Sequence, residues 1–205
     1  MKNNFFYTFL ILISITNFSN TLLAQSTNEK QQALNDYFET IIKDTTQIIY
    51  VAKEKINSNE TLNIFGLNEI LIVDSVGNWK SDTTLYKKKT FNKMKKEYEN
   101  SCKPGKRVLW CNNDYWSKDN FRYKKVALES MNTNKEIELI LDKYNRADIK
   151  VYGFSEPIYY ETKRYIIFTM HISHMAGAST QIIIMQKIKN KWIVTHIGSN
   201  PNIIN

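Results

Sequence analysis

Residues 149–197 read IKVYGFSEPIYYETKRYIIFTMHISHMAGASTQIIIMQKIKNKWIVTHI, and this stretch decides the fold. Four runs, 149–154, 164–172, 180–188 and 192–197, are rich in aromatic and β-branched residues, the types that suit a pleated, half-buried surface. Short polar connections separate them: Glu161-Thr162-Lys163, Met175 to Ala178 with Gly177, and Asn190-Lys191. Links this short join antiparallel neighbours, because a parallel pair needs a long crossover. The spacing therefore predicts a four-strand antiparallel meander.

Working outward, three segments carry helical periodicity. Ser26 and Glu29 form a capping box, and Ala33/Leu34, Tyr37/Phe38 and Ile41/Ile42 recur every four residues, predicting a helix to about Lys43. Thr90 is the expected cap of a second helix, with Phe91, Met94 and Tyr98 on one face and Lys103-Pro104-Gly105 ending it. A third helix is predicted from Thr133, capped with Glu136 and carrying Ile137, Ile140, Leu141 and Tyr144 on one side. Residues 47–56 read as one strand, 62–76 as strand-rich up to the Gly77-Asn78 turn, and 84–88 as a further strand. Residues 108–111 and 121–128 read as strands flanking the polar loop Asn112-Asn113-Asp114. About three helices beside an antiparallel sheet make an α+β domain.

The N-terminus predicts export. Lys2, an apolar run from Phe5 to Ile15 and Leu22-Leu23-Ala24-Gln25 follow the order of a secretory signal peptide over residues 1–24. The run is too short and polar-broken for a bilayer span of ~20 residues, and the absence of a cysteine at the cleavage region argues against a lipid anchor. Removing 24 residues from 205 leaves 181, read as a single domain at 25–205 that is periplasmic or secreted. In an oxidising compartment Cys102 and Cys111 are expected to pair across a loop turned by Pro104-Gly105.

Residues 150–197 also resemble small secreted bacterial proteins of uncharacterised function. In those proteins an F-S-x-P-I element, here Phe154-Ser155-Glu156-Pro157-Ile158, starts a meander that ends in Lys-Trp, here Lys191-Trp192. The small turn keeps one glycine, Gly177, where similar proteins usually have one on each side. The resemblance implies the meander and export, and it brings no catalytic residue.

Charge is concentrated between residues 80 and 125, which hold fourteen basic and five acidic side chains. The net charge is +8, falling to +7 without Lys2, so the rest of the mature chain is −2. Basic groups attract phosphate, sulfate or carboxylate, and exposed aromatics stack on ligands. The candidate binding residues are Lys87, Lys88, Lys93, Lys96, Arg107, Trp110, Trp116 and Arg122. The competing reading is a solvated helix face with its aromatics turned into the core. Exposed tryptophans beside Arg107 or Arg122 would mark a binding surface, and buried ones would mark packing.

Evidence for catalysis is thin. His171, His174 and His196 lack accompanying Cys or acidic ligands, and His-x-x-His in a strand puts its pair on opposite faces, so no metal or other cofactor is implied. Strand alternation groups His171 with Tyr165, Ile167 and Thr169, and His196 with Trp192 and Val194. Ser173 and Ser179 stand outside any G-x-S-x-G context, and all six glycines are isolated, which excludes a phosphate loop. The leading expectation is a non-enzymatic exported binding protein for an envelope polyanion or an acidic protein partner, an inhibitor or immunity protein being one version. No specific nucleic-acid site is expected. The alternative is an exported hydrolase that uses His171 or His196 with a carboxylate from a neighbouring strand.

Overall fold

Near-continuous apolar runs in 149–197 form long strands whose two faces are both covered. The computed structural model describes residues 28–73, 78–102, 109–131, 136–145 and 148–199. In chain order the elements are α1 (28–41), β1 (Ile49–Ala52), β2 (Glu54–Ile56), α2 (Ser58–Gly66), β3 (Ile70–Val73), β4 (Trp79–Ser81) and α3 (Lys88–Tyr98). They continue with β5 (Trp110–Tyr115), a 3₁₀ turn (Lys118–Asn120), β6 (Val126–Glu129), α4 (Glu136–Tyr144), β7 (Val151–Phe154), β8 (Ile158–Tyr160), β9 (Tyr165–His174), β10 (Gly177–Ile188) and β11 (Lys191–Ser199).

The four predicted runs are β7, β9, β10 and β11, antiparallel neighbours in that order. The sheet around them is larger than expected and mixed. Its nine strands run β4-β3-β11-β10-β9-β7-β1-β6, with β8 paired to β9 in line with β7. β1 lies parallel to both β6 and β7, and these parallel pairs correct the purely antiparallel expectation. Four helices are described rather than about three.

α1 covers one face of the sheet, its Leu34, Tyr37 and Phe38 packing on Phe154, Phe168, Met185 and Trp192. The opposite face is covered by α2 and α3 over β8, β9 and β10, and by α4 over β1 and β7. The result is three layers, the arrangement that lets both faces of a central sheet leave water.

Several local expectations are corrected. The run 47–56 breaks at exposed Lys53, where the chain leaves the main sheet and β2 pairs with β5 instead. Within 62–76, the residues to Gly66 are helical. Asn57 caps α2 by accepting a hydrogen bond from the Asn59 N–H at 3.0 Å, and Thr61, Leu62, Ile64 and Phe65 turn inward. Asn68, at φ 58°, turns the chain out of the helix. A short apolar run does not distinguish a buried strand from a buried helix by periodicity.

Residues 84–88 hold no strand, and α3 starts at Lys88 rather than after a Thr90 cap. Asn112, Asn113 and Asp114 belong to β5 instead of a loop, and of 121–128 only residues 126–128 are in a strand, β6, which ends at Glu129. The signal peptide, Lys103-Pro104-Gly105, Arg107 and the Thr133 cap lie outside the described residues. Cys102 and Cys111 form the expected disulfide, tying the chain after α3 to β5. Among the described residues, no helix is long and apolar enough to cross a membrane.

Candidate functional site

The basic window separates into distinct places in three dimensions. Trp110 and Trp116 are 3% and 5% exposed, so both indoles are packing groups. Trp110 presses on the backbone of Gly153, and Trp116 donates its indole N–H to the Phe154 carbonyl at 3.1 Å. Arg122 stands beside α1, where it pairs with Glu39 at 2.6 Å and approaches Asp36 at 3.6 Å. Lys88 and Lys96 are exposed on α3.

Lys93 has a different setting. It lines a cleft of about 470 Å³ between one face of α3 (Lys89, Thr90, Lys93, Met94 and Glu97) and the β8–β9 hairpin (Tyr159 to Lys163). Spacings of four residues put Lys89, Lys93 and Glu97 on one helical stripe. Met94 is buried and anchors that stripe against the sheet, with Phe91 and Tyr98 packed onto the same cluster.

The hairpin turn opposes α3 in an unusual backbone state. Glu161, Thr162 and Lys163 have φ of 50°, 56° and 67°, the left-handed region that costs non-glycine residues roughly 1–2 kcal/mol each. Contacts around the turn hold it there. The Tyr160 hydroxyl accepts the Lys87 N–H at 2.9 Å and donates to the Leu85 carbonyl at 3.0 Å, fastening the end of β8 to the start of α3. The Glu161 carboxylate is engaged by Lys87, and Arg164 approaches it at 3.7 Å.

The charge left facing the cleft is therefore mainly positive. Glu161 is satisfied by two cations, whereas Lys89 and Lys93 form no ion pair among the described residues. Lys163 places its ammonium 5.1 Å from the centre of the Tyr159 ring. On α1, Lys30 lies between Tyr159 and Tyr98 at 5.5 and 5.2 Å from their ring centres. Burial pushes the Lys30 ammonium below its ordinary value. Burial, followed by a hydrogen bond with Glu97, pushes the Tyr98 phenol up. Tyr98 stays neutral, and of the two carboxylates that line the cleft, Glu97 and Glu161, the latter is the one engaged by Lys87.

Reading the basic run picked out Lys87 and Lys93 but passed over Lys89, Lys163 and Tyr159. The i,i+4 relation of Lys89 to Lys93 was visible in the helical pattern. The approach of the 161–163 turn was not, because it depends on how β8 docks against α3.

Of the histidines, His196 is buried, His171 is half-buried, and His174 is half-buried at the end of β9. His171 shares a face with Tyr165, Ile167 and Thr169, as alternation predicts. Its Nδ1 lies 2.7 Å from Thr180 Oγ1, and its ring meets Trp110 edge-on. Burial pushes it down to about 4, so it is neutral at pH 7. For His196 the alternation is overturned by a bulge. His196 pairs with Ile184 and Val194 with Met185, leaving Thr195 as an extra residue that reverses the facing. His196 therefore turns away from Trp192 and Val194, toward Tyr165 and Asp82. Its Nε2 is 3.0 Å from Asp82 Oδ2, and its Nδ1 is 2.9 Å from Thr195 Oγ1. Burial holds this imidazole down against the pull of Asp82.

Among the described residues, no three His, Cys, Asp or Glu side chains converge to hold a metal ion. Comparison with protein-family models, curated proteins and solved structures returns no match.

Proposed function

We propose that this chain is an exported, non-catalytic binding protein that takes an anionic ligand in the cleft between α3 and the 161–163 turn. One observation carries the reading: Lys89, Lys93 and Lys163, from two distant parts of the chain, line one cleft of about 470 Å³. That volume falls in the ~300–1,000 Å³ range of ligand sites. Like charges kept together cost energy, which a bound carboxylate, phosphate or sulfate offsets.

The test is titration with anionic probes, oligogalacturonate and oligoglutamate, at low and high salt. Reversing Lys89, Lys93 and Lys163 to Glu is expected to weaken binding at least about tenfold, roughly 1.4 kcal/mol. Added salt is expected to weaken the wild type similarly by screening the partly open site. Reversing Lys88 and Lys96 is the control, expected to change little. Equal loss from both sets would replace the cleft with a diffuse basic surface.

The His196–Asp82 pair is the observation behind the hydrolase alternative, since its carboxylate comes from a neighbouring segment. Both ring nitrogens are engaged, which leaves neither poised for a substrate proton. Ester or amide turnover that disappears in His196→Ala without a change in melting temperature would favour that alternative.

A further inference from the structure

The 161–164 turn has a companion at the same end of the sheet. Tyr160 pairs with Tyr165, Tyr165 with Gln186, and Ile188 with Lys191 across the next turn. This register sets the 161–164 and 189–190 turns side by side. The Tyr160 hydroxyl holds the start of α3 there too, by accepting the Lys87 N–H. Residues 87–89, 163–164 and 187–191 thereby bring eight lysines and arginines to one end of the molecule. Among the described residues, three carboxylates pair with them, Glu29, Glu39 and Glu161. Lys88, Lys89, Lys163 and Lys189 form no ion pair there.

Ile188 and Ile193 stand among these cations, 45% and 43% exposed. Ile193 shares a register row with Gln186 and with Tyr165 of the α2–α3 core, and strand alternation gives Ile188 the same facing. Across the β10–β11 pair the two isoleucines are diagonal neighbours, close enough to act as one apolar spot. Arg164 lies on the same face, 5.3 Å over the Tyr165 ring.

The composition of this surface selects its partner. Two side chains are too little apolar area for a stable protein interface, which takes ~800 Å² from each partner. At an anionic bilayer, a few inserted apolar groups suffice when cations surround them, because the ammonium and guanidinium groups meet headgroup phosphates while their stems rest on apolar surface.

Resting on the export reading above but not on the ligand of the cleft, we propose that this end of the sheet seats the protein on an anionic membrane surface. Ile188 and Ile193 enter the boundary between headgroups and acyl chains, and the cations of the two turns and the start of α3 lie against lipid phosphates.

The experiment is co-sedimentation of the full mature chain with vesicles of phosphatidylcholine alone or mixed in equal parts with phosphatidylglycerol. Binding is expected to the mixed vesicles, not to phosphatidylcholine alone, and to weaken in high salt. Ile188→Ser with Ile193→Ser is expected to weaken vesicle binding at least about tenfold, with the melting temperature and the oligogalacturonate titration unchanged. Lys88→Glu with Lys189→Glu is expected to weaken vesicle binding by at least about the same factor.

No binding to the mixed vesicles would overturn the proposal, and oligogalacturonate binding in that case would leave the cleft standing. Vesicle binding that the isoleucine substitutions leave intact would overturn it too, by assigning attachment to another surface. Oligoglutamate binding that is lost in the isoleucine variant, without vesicle binding, would replace the membrane with an acidic protein. Vesicle binding that responds to both pairs of substitutions, with no binding of either soluble probe, would support this surface and remove the cleft reading.

Discussion

At the scale of single residues, His171 couples stability to acidity. In the fold burial lowers it from an ordinary 6.5 to about 4. Between those values the unfolded chain takes up a proton that the folded chain refuses, so stability is lost as pH falls from 6.5 toward 4. The full loss is on the order of 3 kcal/mol for this single group. His171→Phe keeps an aromatic against Trp110 and removes the titration. Its melting temperature is expected to fall less than that of the wild type between neutral and mildly acidic pH. Parallel acid slopes for the two proteins would show that His171 is not responsible. Gly153 is a second residue-level constraint. A Cβ there would lie 2.7 Å from the Trp110 ring and 3.2 Å from Ile56, both in the core. Gly153→Ala is expected to cost about 1–3 kcal/mol in denaturant unfolding, by forcing Trp110 aside.

At the scale of elements, α2 and α3 are fixed by different means. α2 joins the sheet through buried hydroxyls, with Thr61 Oγ1 3.0 Å from Ser155 Oγ and 2.8 Å from Thr169 Oγ1. Such a pairing satisfies polar groups that would otherwise be costly to bury. α3 carries many exposed lysines and buries Met94, so its position depends on the Tyr160 hydroxyl at its start and the disulfide beyond its end. Replacing Cys102 and Cys111 together by Ser opens a cross-link spanning a sequence separation of 9. The expected loss is roughly 2–3 kcal/mol on the chain-entropy estimate, read as a lower denaturant midpoint. Ligand affinity is expected to fall with it, because α3 forms one wall of the cleft. An unchanged midpoint would mean that packing alone holds α3 in place.

At the scale of the whole molecule, α1 is the described helix that covers its face of the sheet. Beyond its apolar stripe, the buried Asp36 carboxylate accepts the Trp192 N–H at 2.9 Å. Asn35 clasps the 120–122 segment by donating to the Asn120 carbonyl and accepting from the Arg122 N–H. A chain beginning at residue 43 should lose its near-ultraviolet circular dichroism and aggregate, since Phe154, Phe168 and Trp192 would face water. A cooperative, monomeric unfolding transition in that truncated chain would refute this dependence.

Much of the fold was legible in local chemistry. Runs rich in aromatic and β-branched residues identified β7, β9, β10 and β11, because strand preference is a property of consecutive residues. The same held for the stripe of α1, the Phe91–Met94–Tyr98 face of α3 and the Cys102–Cys111 bridge. Sequence alone did not reveal where β1 would insert, since its pairing with β6 and β7 joins segments about a hundred residues or fewer apart through side-chain fit. Nor did it reveal the Thr195 bulge, where one extra residue reverses the facing of His196. The basic run announced charge but not its destination. Burial turned Trp110 and Trp116 into core groups, and helix–hairpin docking brought Lys163 opposite Lys89 and Lys93. Local pattern determined which segments became strands and helices; long-range packing decided which charged groups came to share a cleft.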